Sequence, residues 1–356
     1  MKTFIACLGA STLLLSLLGA AVAQNQLGRV NDVTLQASCP MGYFGGMQCF
    51  QATVSCPGVA DIGVIFGYKN PASKPRGTVF FHNGGSGIEP YGVGDIWAEQ
   101  YLRSYLSAGY QIVEMSWGSA WEDVGTTHPA NIGTAACRPA TLMNYVSQNV
   151  RTSGAMCAQG ISAGSAAIVY ALAWYGASSY LDKAELISGP VFGNIEKGCA
   201  VPNSPAIAVC PAGQFGCVGA GWLDKPEYIT GALTLVRQWT GDNACQGKGR
   251  TSMHANDAWV GMSIVNDNVL TSFNYPKTAL AGWLCSNAVN NSAAQGQYYY
   301  AKFLDSSQTA AYSVTRVDGC AGPEIVEPGS TPDGANARAA IIHDMTDPSV
   351  GCVARH

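Results

Sequence analysis

Between Thr78 and Ser188 short apolar runs alternate with helix-period patterns, and this alternation constrains the fold more than any other feature of the chain. The apolar run 78–81 feeds the glycine-rich His82-Asn83-Gly84-Gly85-Ser86-Gly87. Segment 95–108 sets Ile96, Tyr101, Leu102 and Leu106 on one helical face. Segment 111–117 reads as a strand, and 138–151 as a helix with Pro139 tolerated in its first turn. Strand 155–159, helix 165–175 and strand 185–188 continue the pattern. Such a rhythm predicts an α/β fold: a mostly parallel sheet covered by helices on both faces. Right-handed crossovers leave few ways to wind it.

The flanks fit one large domain. Residues 24–76 carry short strand candidates at 33–35, 52–54 and 62–68. Residues 196–275 break the rhythm with Cys199, Cys210, Cys217, Cys245 and many glycines, and are expected to form a cysteine-rich lid insertion. The alternation resumes with strand 278–284, helix 297–304, strand 311–317 and closing helix 333–345. Trp222, Trp239, Trp259 and Trp283 lie in or beside the lid, where they build its core or line an apolar pocket.

The N-terminus reads as an export signal. Lys2 supplies a positive start, residues 4–18 an apolar run, and Ala21-Val22-Ala23 a small-residue exit. The expected division is a signal peptide over 1–23 and an α/β domain over 24–356, with the mature protein secreted. No later stretch is apolar enough to span a bilayer. Beyond Cys7, the cysteines Cys39, Cys49, Cys56, Cys137, Cys157, Cys199, Cys210, Cys217, Cys245, Cys285, Cys320 and Cys352 form an even set, as in a disulfide framework. Asn290 opens a glycosylation sequon. Charged residues are 12% of the chain, and the formal net charge is −4 without a basic cluster, so nucleic acid is not an expected partner. No Cys-x-x-Cys pair occurs, so no zinc knuckle is expected.

The chemistry centres on Gly160-Ile161-Ser162-Ala163-Gly164. Gly-x-Ser-x-Gly between an apolar strand and an apolar helix predicts a strained strand-to-helix turn that exposes the serine as a nucleophile. A tight turn with an incidental serine is the alternative. The loop 82–87 lies two strands earlier and reads as an oxyanion loop, or else as a glycine turn with a structural histidine.

On these two motifs the chain resembles the α/β-hydrolase superfamily of secreted esterases, lipases and depolymerases. The resemblance covers 77–195 and 276–346, and Gly160–Gly176 followed by Ile187-Ser188-Gly189-Pro190 is similar to a group of secreted hydrolases. It implies a backbone N–H of Ala163 and one of Gly84 or Gly85 as oxyanion donors. His82 resembles the first residue of the His-Gly-Gly-Gly loop of lipases and esterases, and Asn83 departs from it.

The rest of a triad should follow in the order acid, then histidine. After strand 278–284 come Ser286, Asn287 and Asn290 but no carboxylate, and the loop 318–332 holds Glu324 but no histidine. One repair makes Asp318 the acid and 339–342 a last short strand ending at a catalytic His343. In the other, His343 sits in the closing helix, Glu324 and Asn287 occupy the usual histidine and acid positions, and the triad is degenerate. His254 is a further candidate base, and His128 lies in an uninformative loop. Two functions stay open: a secreted serine carboxylic ester hydrolase acting on a small-molecule or polymer ester without metal or organic cofactor, or a non-catalytic binding or effector protein on the same fold. Acyl transfer in place of hydrolysis is a variant of the first.

Overall fold

In this computed structural model the described residues are 25–91, 96–123, 132–193, 263–265, 273–285, 295–296, 299–300, 308–317 and 332–355. Strands β1 (Arg29–Leu35), β2 (Gln48–Ser55), β3 (Ile62–Lys69), β4 (Gly77–His82), β5 (Tyr110–Trp117), β6 (Ala155–Ile161), β7 (Lys183–Ile187), β8 (Asn274–Cys285) and β9 (Gln308–Val317) form one sheet. Its spatial order is β1-β2-β3-β5-β4-β6-β7-β8-β9. The first three strands pair antiparallel with one another, and β3 pairs antiparallel with β5. From β5 to β9 every pair is parallel. Strands β4, β6 and β7 are buried at every position, as central strands covered on both faces must be.

The described helices include α1 (Ile96–Ser107), α2 (Ile132–Ala135), α3 (Cys137–Tyr145, continued as a π turn over Val146–Val150), α4 (Ala163–Tyr175) and α5 (Pro332–Thr346). Helix α1 joins β4 to β5 and α4 joins β6 to β7, stepping in opposite directions along the sheet. Right-handed crossovers therefore put them on opposite faces. Helix α5 packs beside α1, and α3 packs beside α4. Helix α4 is buried at every residue, which explains its apolar circumference.

Among the described residues three disulfides tie this frame. Cys39–Cys49 staples the start of the β2 hairpin, Cys56–Cys137 joins the end of β2 to α3, and Cys157–Cys352 joins β6 to the C-terminal tail. The last closes a separation of 195 residues, where a cross-link removes most freedom from the unfolded chain.

Two expectations need correction. Residues 339–342 are helical within α5 and form no last strand, so the register that ended a strand at His343 does not exist. Strand β8 begins at Asn274, inside the span assigned to the lid. Of that span only 263–265 and 273–275 are described. Ile264 N–H donates to the Phe192 carbonyl (2.9 Å) and Val265 N–H to the Gly193 carbonyl (2.8 Å), which anchors that segment to the loop after β7. The signal peptide over 1–23 lies outside the described residues. Among the described residues no helix is long and apolar enough to cross a membrane.

Candidate active site

Register brings the two motifs together. His82 at the end of β4 stands opposite Gly160 in β6, and Gly160 stands opposite Leu186 in β7. The loop after β4 and the turn after β6 thus leave the sheet side by side, at the carboxyl ends of the strands.

Ser162 sits in that turn at φ 52° and ψ −116°, a conformation that side chains rarely adopt. Its N–H donates to the Ile187 carbonyl at 2.9 Å, and its carbonyl accepts from Ser165 N–H (3.1 Å), Ala166 N–H (3.2 Å) and the Ser165 hydroxyl (2.5 Å). The backbone is pinned on both sides, which is what holds a strained residue in place. The motif glycines are steric requirements. A Cβ on Gly160 would meet the Gly164 carbonyl carbon and oxygen at 2.5 Å. A Cβ on Gly164 would collide with the His82 and Asn83 carbonyl oxygens. The turn is therefore packed directly under the loop after β4. Ser162 is half-buried, and its hydroxyl has no hydrogen-bond partner among the described residues.

The loop faces this serine closely. A Cβ on Gly84 would lie 3.4 Å from Ser162 Cβ and 3.5 Å from the Ile161 carbonyl oxygen. Gly85 is exposed at φ +54°, with open space where a side chain would be. Ala163 opens α4, so its N–H has no partner inside the helix. The two candidate oxyanion donors of the loop differ in one respect: Gly84 N–H already donates to Asn83 Oδ1 at 2.8 Å.

His82 is structural. Trp117 Nε1–H, which can only donate, reaches His82 Nε2 at 3.3 Å. Nδ1 therefore carries the proton and donates to the Asn83 carbonyl at 2.9 Å. The ring is fully buried, and burial pushes its pKa down to about 4. A Cβ on Gly87 would meet His82 Cε1 at 2.8 Å and Trp117 Cδ1 at 2.9 Å, so the neutral ring props the loop from below. The loop after β5 is tied to the same place: Trp117 N–H donates to the Gly87 carbonyl (2.8 Å) and Trp121 N–H to the Ser86 carbonyl (3.3 Å). Beside Trp121, burial raises the Glu122 carboxyl to about pKa 8, and no other residue's donor reaches either oxygen among the described residues.

The structure does not bring His343 to Ser162. His343 lies exposed in the last turn of α5, next to Asp344, whose carboxylate pairs with Lys183 Nζ at 2.7 Å. Lys183 opens β7 and Ile187, which accepts the Ser162 N–H, closes it. At about 3.3 Å per residue the two ends of β7 are roughly 13 Å apart. His343 therefore sits at the amino ends of the strands and Ser162 at the carboxyl ends, so the expectation of a catalytic His343 is corrected. The tail leaves from the same wrong end, where Arg355 N–H donates to Asp182 Oδ1 at 2.7 Å. Asp318, Glu324, Asn287, Asn290, His128 and His254 lie outside the described residues. Sequence reasoning missed Trp117 as the partner of His82, since only strand register reveals a contact across 35 positions.

No protein-family model matches the sequence, and no curated protein matches it. Among solved structures the chain is similar to an esterase from Pyrobaculum calidifontis, with 15% identity over 88% of each chain and a TM-score of 0.48. It is also similar to a thermostable carboxyl esterase from Bacillus coagulans, with 15% identity over 83% of this chain and 96% of that one and a TM-score of 0.49. A lipase in its open form gives 12% identity, 83% and 97% coverage, and a TM-score of 0.46. The fold assignment rests on this chain's own strand order, crossovers and strained serine turn. By those features the chain has the α/β-hydrolase fold, with a Gly-x-Ser-x-Gly elbow at the carboxyl end of β6.

Proposed function

We propose that this protein is a secreted serine carboxylic ester hydrolase that works through an acyl-enzyme on Ser162. The observation that carries this reading is the positive-φ backbone of Ser162, locked under a glycine loop with no hydrogen-bond partner for its hydroxyl among the described residues. Such strain persists only where surrounding structure enforces it, and it clusters at functional sites. In this reading Ser162 Oγ attacks the ester carbonyl carbon and the alcohol departs with a proton. The N–H of Ala163 and one from the loop at Gly84 or Gly85 stabilise the oxyanion. Water then cleaves the acyl-enzyme. The base comes from residues beyond those described, with His254 and Glu324 as candidates; His82 is excluded because both of its ring nitrogens are engaged. Export, the 1–23 signal peptide and glycosylation at Asn290 belong to the same reading, supported by three disulfides. The test is turnover of short-chain p-nitrophenyl esters by the native protein, with Ser162→Ala as control. Turnover that Ser162→Ala reduces to background supports the reading, and equal rates in both proteins refute it.

A second reading has its own observation: neither described histidine can serve Ser162. A non-catalytic binding protein on this fold would bind an ester without turning it over. Saturable binding with no turnover would select it.

A further inference from the structure

We propose that Asn83 is a positioning residue of the loop after β4: it takes the Gly84 N–H on its own side chain, so that of the two candidate donors Gly84 and Gly85 it is Gly85 whose N–H keeps no partner among the described residues. Every polar group of Asn83 other than its own N–H is committed to this loop. Oδ1 accepts the Gly84 N–H at 2.8 Å, Nδ2–H donates to the Pro90 carbonyl at 3.2 Å, and the backbone carbonyl accepts from His82 Nδ1–H at 2.9 Å. The side chain thereby closes residues 83–90 into one hydrogen-bonded unit, further tightened by Gly87 N–H on the Gly84 carbonyl at 3.2 Å. Asn is suited to this, because its short amide competes for neighbouring backbone groups as longer side chains do not.

The consequence for the site follows from the supply of donors. An N–H held by a nearby amide oxygen is turned toward that oxygen, and it donates at full strength to one acceptor at a time. Gly84 leaves the space beside Ser162 open by its missing side chain, while its N–H is spent inside the loop. Gly85 has a left-handed backbone, an exposed position and no hydrogen-bond partner among the described residues. The oxyanion pair is then Ala163 and Gly85. Asn83 replaces a glycine of the lipase-type loop, and its side chain does what that glycine cannot: it selects between two adjacent amides. This consequence rests on the hydrolase reading; the holding role of Asn83 does not.

The test is residue-resolved amide hydrogen exchange on the full-length, disulfide-bonded protein, joined to steady-state hydrolysis of p-nitrophenyl acetate. Gly84 should exchange slowly in the wild type and in Asn83→Asp, which keeps the acceptor. It should exchange about three- to tenfold faster in Asn83→Ala, as the loss of one neutral hydrogen bond allows. Gly85 should exchange fast in all three. The Asn83→Ala kcat should fall about tenfold with KM within about twofold, a split that general loosening of the fold would not produce. Gly84 exchange unchanged in Asn83→Ala, or Gly85 as protected as Gly84, overturns the proposal. Should Asn83→Ala not fold, Asn83→Gly is read in the same way. A wild type that fails to hydrolyse the ester overturns the hydrolase reading, and the exchange of Gly84 still decides the role of Asn83.

Discussion

Gly84 and Ser162 approach so closely that a methyl group on Gly84 would stand 3.4 Å from Ser162 Cβ, an ordinary van der Waals contact. Gly164, one turn into the same elbow, has no such room: its added methyl would run into the backbone carbonyls of His82 and Asn83. The two glycines should therefore respond differently to alanine. Gly84→Ala should keep the wild-type melting temperature within a few degrees and lose ester turnover, because the methyl fills space beside the nucleophile. Gly164→Ala must push two strands' loops apart and should lose on the order of 1–3 kcal/mol or more, as over-packing does. Equal stability of the two variants in chemical denaturation would contradict the close packing of loop and elbow.

His82 makes stability depend on acid. Its folded pKa is about 4, below the ordinary histidine value, so the unfolded chain takes up a proton first as pH falls. The stabilisation is present at neutral pH and is lost as pH drops from about 6.5 toward about 4. Linkage gives roughly 2 kcal/mol between pH 7 and pH 5. His82→Gln should flatten that part of the stability profile, and a profile as steep as wild type would show that the ring titrates freely.

Glu122 has the opposite sign. Its folded pKa is about 8, raised by burial, while the unfolded carboxyl ionises near its ordinary value. Its contribution is fully present below about pH 4.5 and is lost as pH rises toward about 8. Glu122→Gln keeps the shape without the proton, so it should gain on wild type across that window, by about 3 kcal/mol at pH 7. A gain independent of pH would show that ionisation at Glu122 is not its cause.

Lys183 and Asp344 fix α5 to the start of β7, with the Lys183 side chain 3% exposed. Lys183 Nζ also donates to the Asp344 and Val350 carbonyls, at 2.7 and 3.3 Å. Removing the cation leaves these acceptors unpaired, and Lys183→Met should cost about 3–5 kcal/mol by denaturation. His343→Ala, one residue away on the exposed side of the helix, should change neither stability nor turnover. Loss of turnover in His343→Ala at unchanged stability would restore it as a catalytic candidate.

Much of this was legible in the sequence, for identifiable reasons. The alternation from 78 to 188 gave the central strands and α4 because buried parallel strands need unbroken apolar runs. Gly160, Ser162 and Gly164 announced the elbow because only glycine permits backbone contacts as short as those they make. The segment 332–346 was ambiguous: Ala339-Ala340-Ile341-Ile342 suits a short strand as well as a helix. The burial of Ala337, Ile341 and Met345 settles it, since spacing of four is the helical period. That same period turns His343 outward. The Trp117–His82 bond was illegible, because it depends on which strands are neighbours and in what register. The Asn83 side-chain bond to Gly84 is local and follows a known habit of asparagine, but sequence does not say which of several neighbouring backbone groups that amide takes.

The most direct measurement of the central claim is covalent labelling of the native, oxidised protein by a fluorophosphonate probe, with the modified residue mapped by peptide mass spectrometry. An activated serine in a strained elbow should label at Ser162 and nowhere else, at a rate that heat denaturation and Ser162→Ala both abolish, while His343→Ala labels like wild type. Native protein that remains unmodified under conditions that saturate a serine esterase, or that carries the probe on another residue, would contradict Ser162 as the nucleophile.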